Sequence, residues 1–162
     1  MKPLPKVVLA VYLLILLWLV LFKFSSDFSS VLLDHQMRSL NLVPFAGSSW
    51  GLSEMISNVV VFVPFGLLLS VNFKRITVWR KLIYIFIFSV IVEALQFILA
   101  IGVTDITDVI TNTLGGFLGL MLYTLGAKCV DKEKQDWFLV VAGVILLTIL
   151  ILLRFLVFKV RY

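Results

Sequence analysis

Residues 82–127 read LIYIFIFSVIVEALQFILAI-GVTD-ITDVITNTLGGFLGLMLYTLGA, two apolar runs of 20 and 22 residues joined by Gly102-Val103-Thr104-Asp105. About 20 predominantly apolar residues, wound as a helix with a rise of ~1.5 Å each, cross the hydrocarbon core of a bilayer. So short a connection implies an antiparallel helical hairpin inside the membrane. Outward from it the pattern recurs: Val7–Phe22, Met55–Val71 and Trp137–Phe158 are further long apolar runs closed by charges, glycine or an interfacial tryptophan, beside the hairpin's own Leu82–Ile101 and Ile106–Ala127. The expected fold is all-α: a polytopic transmembrane helical bundle of about five spans in a single domain over residues 1–162.

Composition excludes the main alternative. Of the 162 residues 62% are hydrophobic and 14% charged, against roughly a quarter charged in soluble domains, so a water-soluble globule is ruled out. The net charge of +5 is spread over the loops flanking the spans and forms no basic face, so nucleic acid is not an expected partner. The partner is the lipid bilayer. The lone cysteine, Cys129, excludes an internal disulfide and a cysteine-based metal site, and reads as a structural thiol. No small-x-small cleavage site follows the first run at Lys23–Asp27, so that run reads as an uncleaved anchor.

Orientation follows from Lys and Arg, which favour the cytoplasmic side. Lys2, Lys6, Lys74, Arg75, Arg80, Lys81, Lys128, Lys132 and Lys134 fall on one side, nine of the fourteen basic residues. The expected topology places the N-terminus in the cytoplasm, with the 23–54 loop, the 102–105 turn and the C-terminus outside. Within that long loop Phe28–Leu40 mixes apolar and polar residues in the manner of a short interfacial helix. Leu42–Gly47 reads as non-helical chain returning to the bilayer, and Ser53 as the N-cap of the second span.

Ionisable side chains inside spans are costly and point to function. Glu93, Asp108 and Arg154 lie within spans, with Glu54 and Asp105 at span edges. Glu93 and Gln96 share one helical face, as do Asp105, Asp108 and Asn112. A tight turn centred at residue 102 or 103 sets Gln96 level with Asp108 and Glu93 level with Asn112, with Glu93 roughly 12–15 Å below the outer end of its helix. Glu54 and Asn58 add a polar face to the second span. Together these residues line a candidate cavity opening to the outer half of the bilayer.

Structural roles compete at several positions. Thr104 or Asp105 serves equally as the cap of the fourth span, and Asn58, Gln96 and Asn112 as interhelical hydrogen bonds. Arg154 either neutralises Glu93 or snorkels to the interface, and His35 is a lone interfacial histidine. Gly115, Gly116 and Gly119 allow close helix approach, and Pro64 bends the second span. At Glu93 a carboxylate needs a protonated state, a cationic partner or water, so function outweighs structure there. No nucleophile arrangement, phosphate-cradling loop or metal signature stands out, and no cofactor is expected. Asp105 and Asp108 are too short a signal for a cation site, although Glu93 beside Asp108 offers oxygens suited to a hard divalent ion.

Four strings occur in order: Arg38-Ser39-Leu40-Asn41-Leu42-Val43-Pro44-Phe45, then Asn58 through Pro64-Phe65-Gly66, then Glu93-Ala94-Leu95-Gln96, then Thr104 through Asp105, Asp108 and Asn112 to Gly115-Gly116. In this the chain resembles the VanZ-like family, over about residues 38–120. The resemblance implies a multi-pass protein of the bacterial plasma membrane that gives low-level resistance to teicoplanin with little protection against vancomycin. It adds Arg38 and Asn41 to Asn58, Glu93, Gln96, Asp105, Asp108 and Asn112 as candidate ligand-binding residues. It carries no established reaction. Binding of teicoplanin or a lipid-linked cell-wall intermediate is therefore the leading expectation; the alternative is a membrane enzyme that modifies a lipid or cell-wall precursor, with Glu93 or Asp108 as general acid or base.

Overall fold

The computed structural model describes residues 3–21, 39–45, 51–99 and 103–160. Five helices make up nearly all of it: α1 (Pro3–Leu21), α2 (Gly51–Asn72), α3 (Val78–Leu99), α4 (Ile106–Cys129) and α5 (Lys132–Val160). The first four contain stretches long and apolar enough to cross a membrane, Leu4–Leu21, Leu52–Asn72, Val78–Leu99 and Ile106–Cys129. The fifth expected span, Trp137–Phe158, falls inside the 29-residue helix α5. Apolar residues cover these helices nearly all round, and many stay exposed on the bundle exterior, including Val60, Phe86, Ile98 and Leu122. That pattern suits helices whose solvent is lipid.

Helix α2 starts at Gly51, so Ser53 is not its N-cap; it lies within the first turn and its carbonyl accepts from Ser57 Oγ at 2.9 Å. Helix α3 starts one turn before the expected Leu82 and takes in Lys81. Lys81 is buried, with its ammonium 3.5 Å from Ser70 Oγ. The long aliphatic stem of lysine packs along apolar surface, which lets a charged residue enter a helix of this kind.

Helices α2 and α4 form the most extensively packed pair. A Cβ placed on Gly66 would fall on the carbonyl oxygen of Gly116, one on Gly115 on that of Val59, and one on Gly119 on that of Val63. The two backbones are therefore in contact, the close approach that small residues permit between helices in lipid. Beside them Phe65 packs edge to face on both Phe62 and Phe88, its centroid 5.3 Å from that of Phe88, and Phe62 and Phe88 are tilted against each other. Pro64 lies between these contacts and releases the carbonyl of Val60. One residue on, the carbonyl of Val61 accepts from the buried Tyr12 hydroxyl of α1 at 2.6 Å.

At one end of the bundle Asn72 donates to the carbonyl of Pro5 at 3.0 Å, Lys74 pairs with Asp136, and Tyr123 donates to Asp136 at 2.9 Å. Trp79 and Trp137 are exposed at this end, as aromatic residues at a membrane interface are. The other end carries a feature absent from the expected fold, a parallel pair of short strands, β1 (Ser39–Asn41) and β2 (Val103–Asp105), in the register Ser39 to Val103, Leu40 to Thr104 and Asn41 to Asp105. Ser39 and Leu40, expected at the end of the interfacial helix, are thus extended; residues 28–38 of that helix lie outside the described residues. Parallel strands need a long crossover, and here α2 and α3 intervene in sequence between them.

Candidate functional site

The strand pair decides which polar groups meet. Extended residues advance about 3.3 Å each against ~1.5 Å in a helix, so the three residues of β2 descend nearly two helical turns before α4 begins. Asp105 consequently lies level with Glu93: its N–H donates to Glu93 Oε2 at 3.1 Å, and the Thr104 hydroxyl donates to the Glu93 carbonyl at 3.3 Å. This corrects the symmetric hairpin. Asn112 Nδ2 donates to Ser89 Oγ at 3.0 Å in place of Glu93. Gln96 Nε2 turns to α1, donating to the carbonyls of Val20 at 2.9 Å and Leu21 at 3.4 Å, and does not pair with Asp108. Glu93 lies six residues before Leu99, where the described part of α3 ends, about 9 Å along the axis at ~1.5 Å per residue.

Asp105 is the cap of α4 and also holds a neighbouring segment. Its Oδ1 accepts from the Thr107 N–H at 2.8 Å and caps α4, while its Oδ2 accepts from Asn41 Nδ2 at 2.9 Å and fastens the 39–45 segment. Thr107 strengthens that attachment, its hydroxyl accepting from the Phe45 N–H at 3.0 Å. One turn of α4 therefore holds the segment, the cap and the next carboxylate, Asp108. Asp108 accepts from Asn58 Nδ2 of α2 at 2.8 Å.

The resulting polar seam runs between α2, α3 and α4. Asn58, Glu93 and Asp108 are each about 5% exposed or less, and Gln96 and Asn112 are completely buried. Asn112 Oδ1 and Gln96 Oε1 accept no hydrogen bond among the described residues. A buried acceptor without a donor costs roughly 1–3 kcal/mol. Among the described residues no three His, Cys, Asp or Glu side chains gather as a metal site would need.

Of the sequence candidates, Asn41, Asp105 and Glu93 are joined in one run of hydrogen bonds and Asn58 and Asp108 in another, Asn112 follows one turn below Asp108, and Gln96 faces α1. Glu54 is exposed in the first turn of α2. Arg38 and His35 lie outside the described residues, and Arg154 is placed only by its backbone in α5. Two participants went unnoticed in the sequence. Ser89 is four residues before Glu93 and so on its face, a signal that was available. Thr107 has no such signal, because its partner Phe45 is 62 residues away.

A family model described as VanZ/LLP1 matches residues 9–127, an interval that contains every described element of this site. Protein VanZ of Enterococcus faecium is 50% identical over 153 residues, covering 94% of each chain. No solved structure matches the chain. With the family match over most of its length and identity at this level, the chain belongs to the VanZ/LLP1 family.

Proposed function

We propose that this protein confers low-level resistance to teicoplanin through the polar seam at the strand-bearing end, which binds the lipoglycopeptide or a lipid-linked envelope component and lowers productive drug binding at the cell surface. The observation that carries this reading is the burial of Glu93 and Asp108 near one level of an apolar bundle. Carboxyl groups held within a membrane bundle are expensive, and cohesion alone is supplied more cheaply by the glycine contacts of α2 and α4. The drug comes from the family: the VanZ resemblance and the identity to Protein VanZ support a teicoplanin-resistance role. A fatty-acyl chain on teicoplanin, which vancomycin lacks, partitions into the bilayer and gives a physical basis for selectivity.

In this reading the protein is multi-pass in the bacterial plasma membrane, with its N-terminus in the cytoplasm, its C-terminus outside and the seam in the outer leaflet. A cysteine at Ser48 then reacts with an impermeant reagent on intact cells and one at Lys132 does not; the reverse pattern would place the seam in the inner leaflet.

The test of function is Glu93→Gln with Asp108→Asn, changes that remove charge with little change of shape. Teicoplanin resistance should fall while membrane abundance stays normal, and vancomycin sensitivity should not move. Full resistance in the double substitution would refute the role of both carboxyl groups. An inventory of lipids and envelope precursors, with and without the protein, separates the binder from the enzyme: an unchanged inventory fits binding, an altered one the enzymatic alternative.

A further inference from the structure

We infer that residues 39–45 form a re-entrant wedge seated within the leaflet, with the acyl chains of surrounding lipid as the partner of its apolar surface. The inference rests on the reading that α2 and α3 cross a bilayer, and is independent of the resistance role. Asn41 is in register with Asp105, whose N–H meets Glu93 six residues before the end of α3. Beyond that level α3 goes on exposing Ile98 and Leu99, and α2 exposes Leu52 and Ile56 on the strand-bearing side of Asn58. The apolar exterior of the helices thus continues for about 7–9 Å past the wedge, at ~1.5 Å per residue.

The surface of the wedge is apolar. Leu40, Leu42, Val43 and Phe45 are 53%, 65%, 62% and 61% exposed, and no residue from Ser39 to Phe45 is charged. Phe45 takes a left-handed φ of 60°. Glycine adopts that backbone without the steric cost that a side chain incurs. The chain nevertheless keeps a large ring there, an exposure that lipid rewards and water does not.

Lipid tolerates non-helical chain only where its polar groups are met from within. Asn41 Oδ1 accepts from the Val43 N–H at 3.1 Å, Pro44 has no N–H, and Thr107 Oγ1 accepts from the Phe45 N–H. Asn41 and Thr107 do for this segment what water does for an exposed loop. The wedge therefore sets acyl chains directly beside the Asn41–Asp105 pair, so that an amphiphile lying in the leaflet brings its polar portion to the seam from the side.

The experiment uses the full chain with Cys129→Ser, reconstituted in phosphatidylcholine–phosphatidylglycerol vesicles, with a nitroxide on a single cysteine introduced as Val43→Cys or Leu42→Cys. Collisions with oxygen, which enters hydrocarbon, are compared with those of a water-soluble nickel chelate, which does not. Val60→Cys on the exposed face of α2 and Lys132→Cys at the opposite end are the references. The wedge sites should match Val60→Cys, with nickel collisions about tenfold below Lys132→Cys and oxygen collisions high, because a polar chelate is excluded from hydrocarbon. Nickel access equal to that at Lys132→Cys overturns the proposal, as does exclusion of both reagents, which would mean that protein covers the segment. Nickel access at Val60→Cys as well would show that the bilayer reading of α2 had failed, and the wedge with it. Retained teicoplanin resistance in the labelled-site variants keeps this outcome separate from the resistance role.

Discussion

The two halves of the α2–α4 contact are held by different physics. Toward the strand-bearing end Asn58 and Asp108 join the helices through a buried hydrogen bond; from Val59 to Gly66 the backbones touch across Gly115, Gly116 and Gly119. In the glycine half a side chain added at Gly66, Gly115 or Gly119 would run into the facing backbone, so a helix would have to move. In the polar half charge can be altered at nearly constant shape. The comparison suggests that the glycine half carries the fold and leaves the polar half free to carry costly groups.

The largest effect should come from the glycine half. Gly119→Leu drives a side chain onto the Val63 carbonyl, and overpacking against backbone should cost about 3 kcal/mol or more. Membrane abundance and denaturation in detergent should both show its loss, whereas the neighbouring exposed Leu118→Ala should stay within about 0.5 kcal/mol. A stable Gly119→Leu protein would break the division at its root.

Next is Asn58→Leu, which takes a donor from the buried Asp108 and should destabilise by about 1–3 kcal/mol. Resistance should fall with it. Smaller again, Tyr12→Phe removes one hydroxyl donated to Val61 and should cost about 0.5–1.5 kcal/mol with resistance unchanged. Its unfolding midpoint in detergent is the readout, and a loss of resistance there would extend the functional region into α1.

Asp108→Asn sharpens the comparison most, though its structural effect is the smallest. The amide oxygen still accepts from Asn58, so stability should change by less than about 1 kcal/mol. Teicoplanin resistance should nevertheless be lost. If abundance drops as far as in Gly119→Leu, the carboxyl group is structural and the two halves do the same work.

Much of this was legible in the chain itself. The glycine spacing at 115, 116 and 119 read correctly as close packing, because steric room depends on residue type alone. Asp105 read as a cap or a site residue and is a cap that also binds Asn41. The pairing of Glu93 and Gln96 was misread, because depth along a hairpin depends on whether each residue is helical or extended. Three extended residues in β2 displaced the register, and no pattern in Val103-Thr104-Asp105 distinguishes a strand from a turn.

The helical class, the approximate spans and the faces on which carboxyl groups and amides lie can all be read along the chain. Those follow from hydropathy and the helical repeat, which are properties of neighbouring residues. That Glu93 meets Asp105, that Asp108 meets Asn58 and that Asn41 and Thr107 hold the 39–45 segment emerges only once the helices are packed. These partners are 12 to 64 residues apart, and whether they meet depends on how the helices stack and where the strand pair ends, which no local pattern encodes.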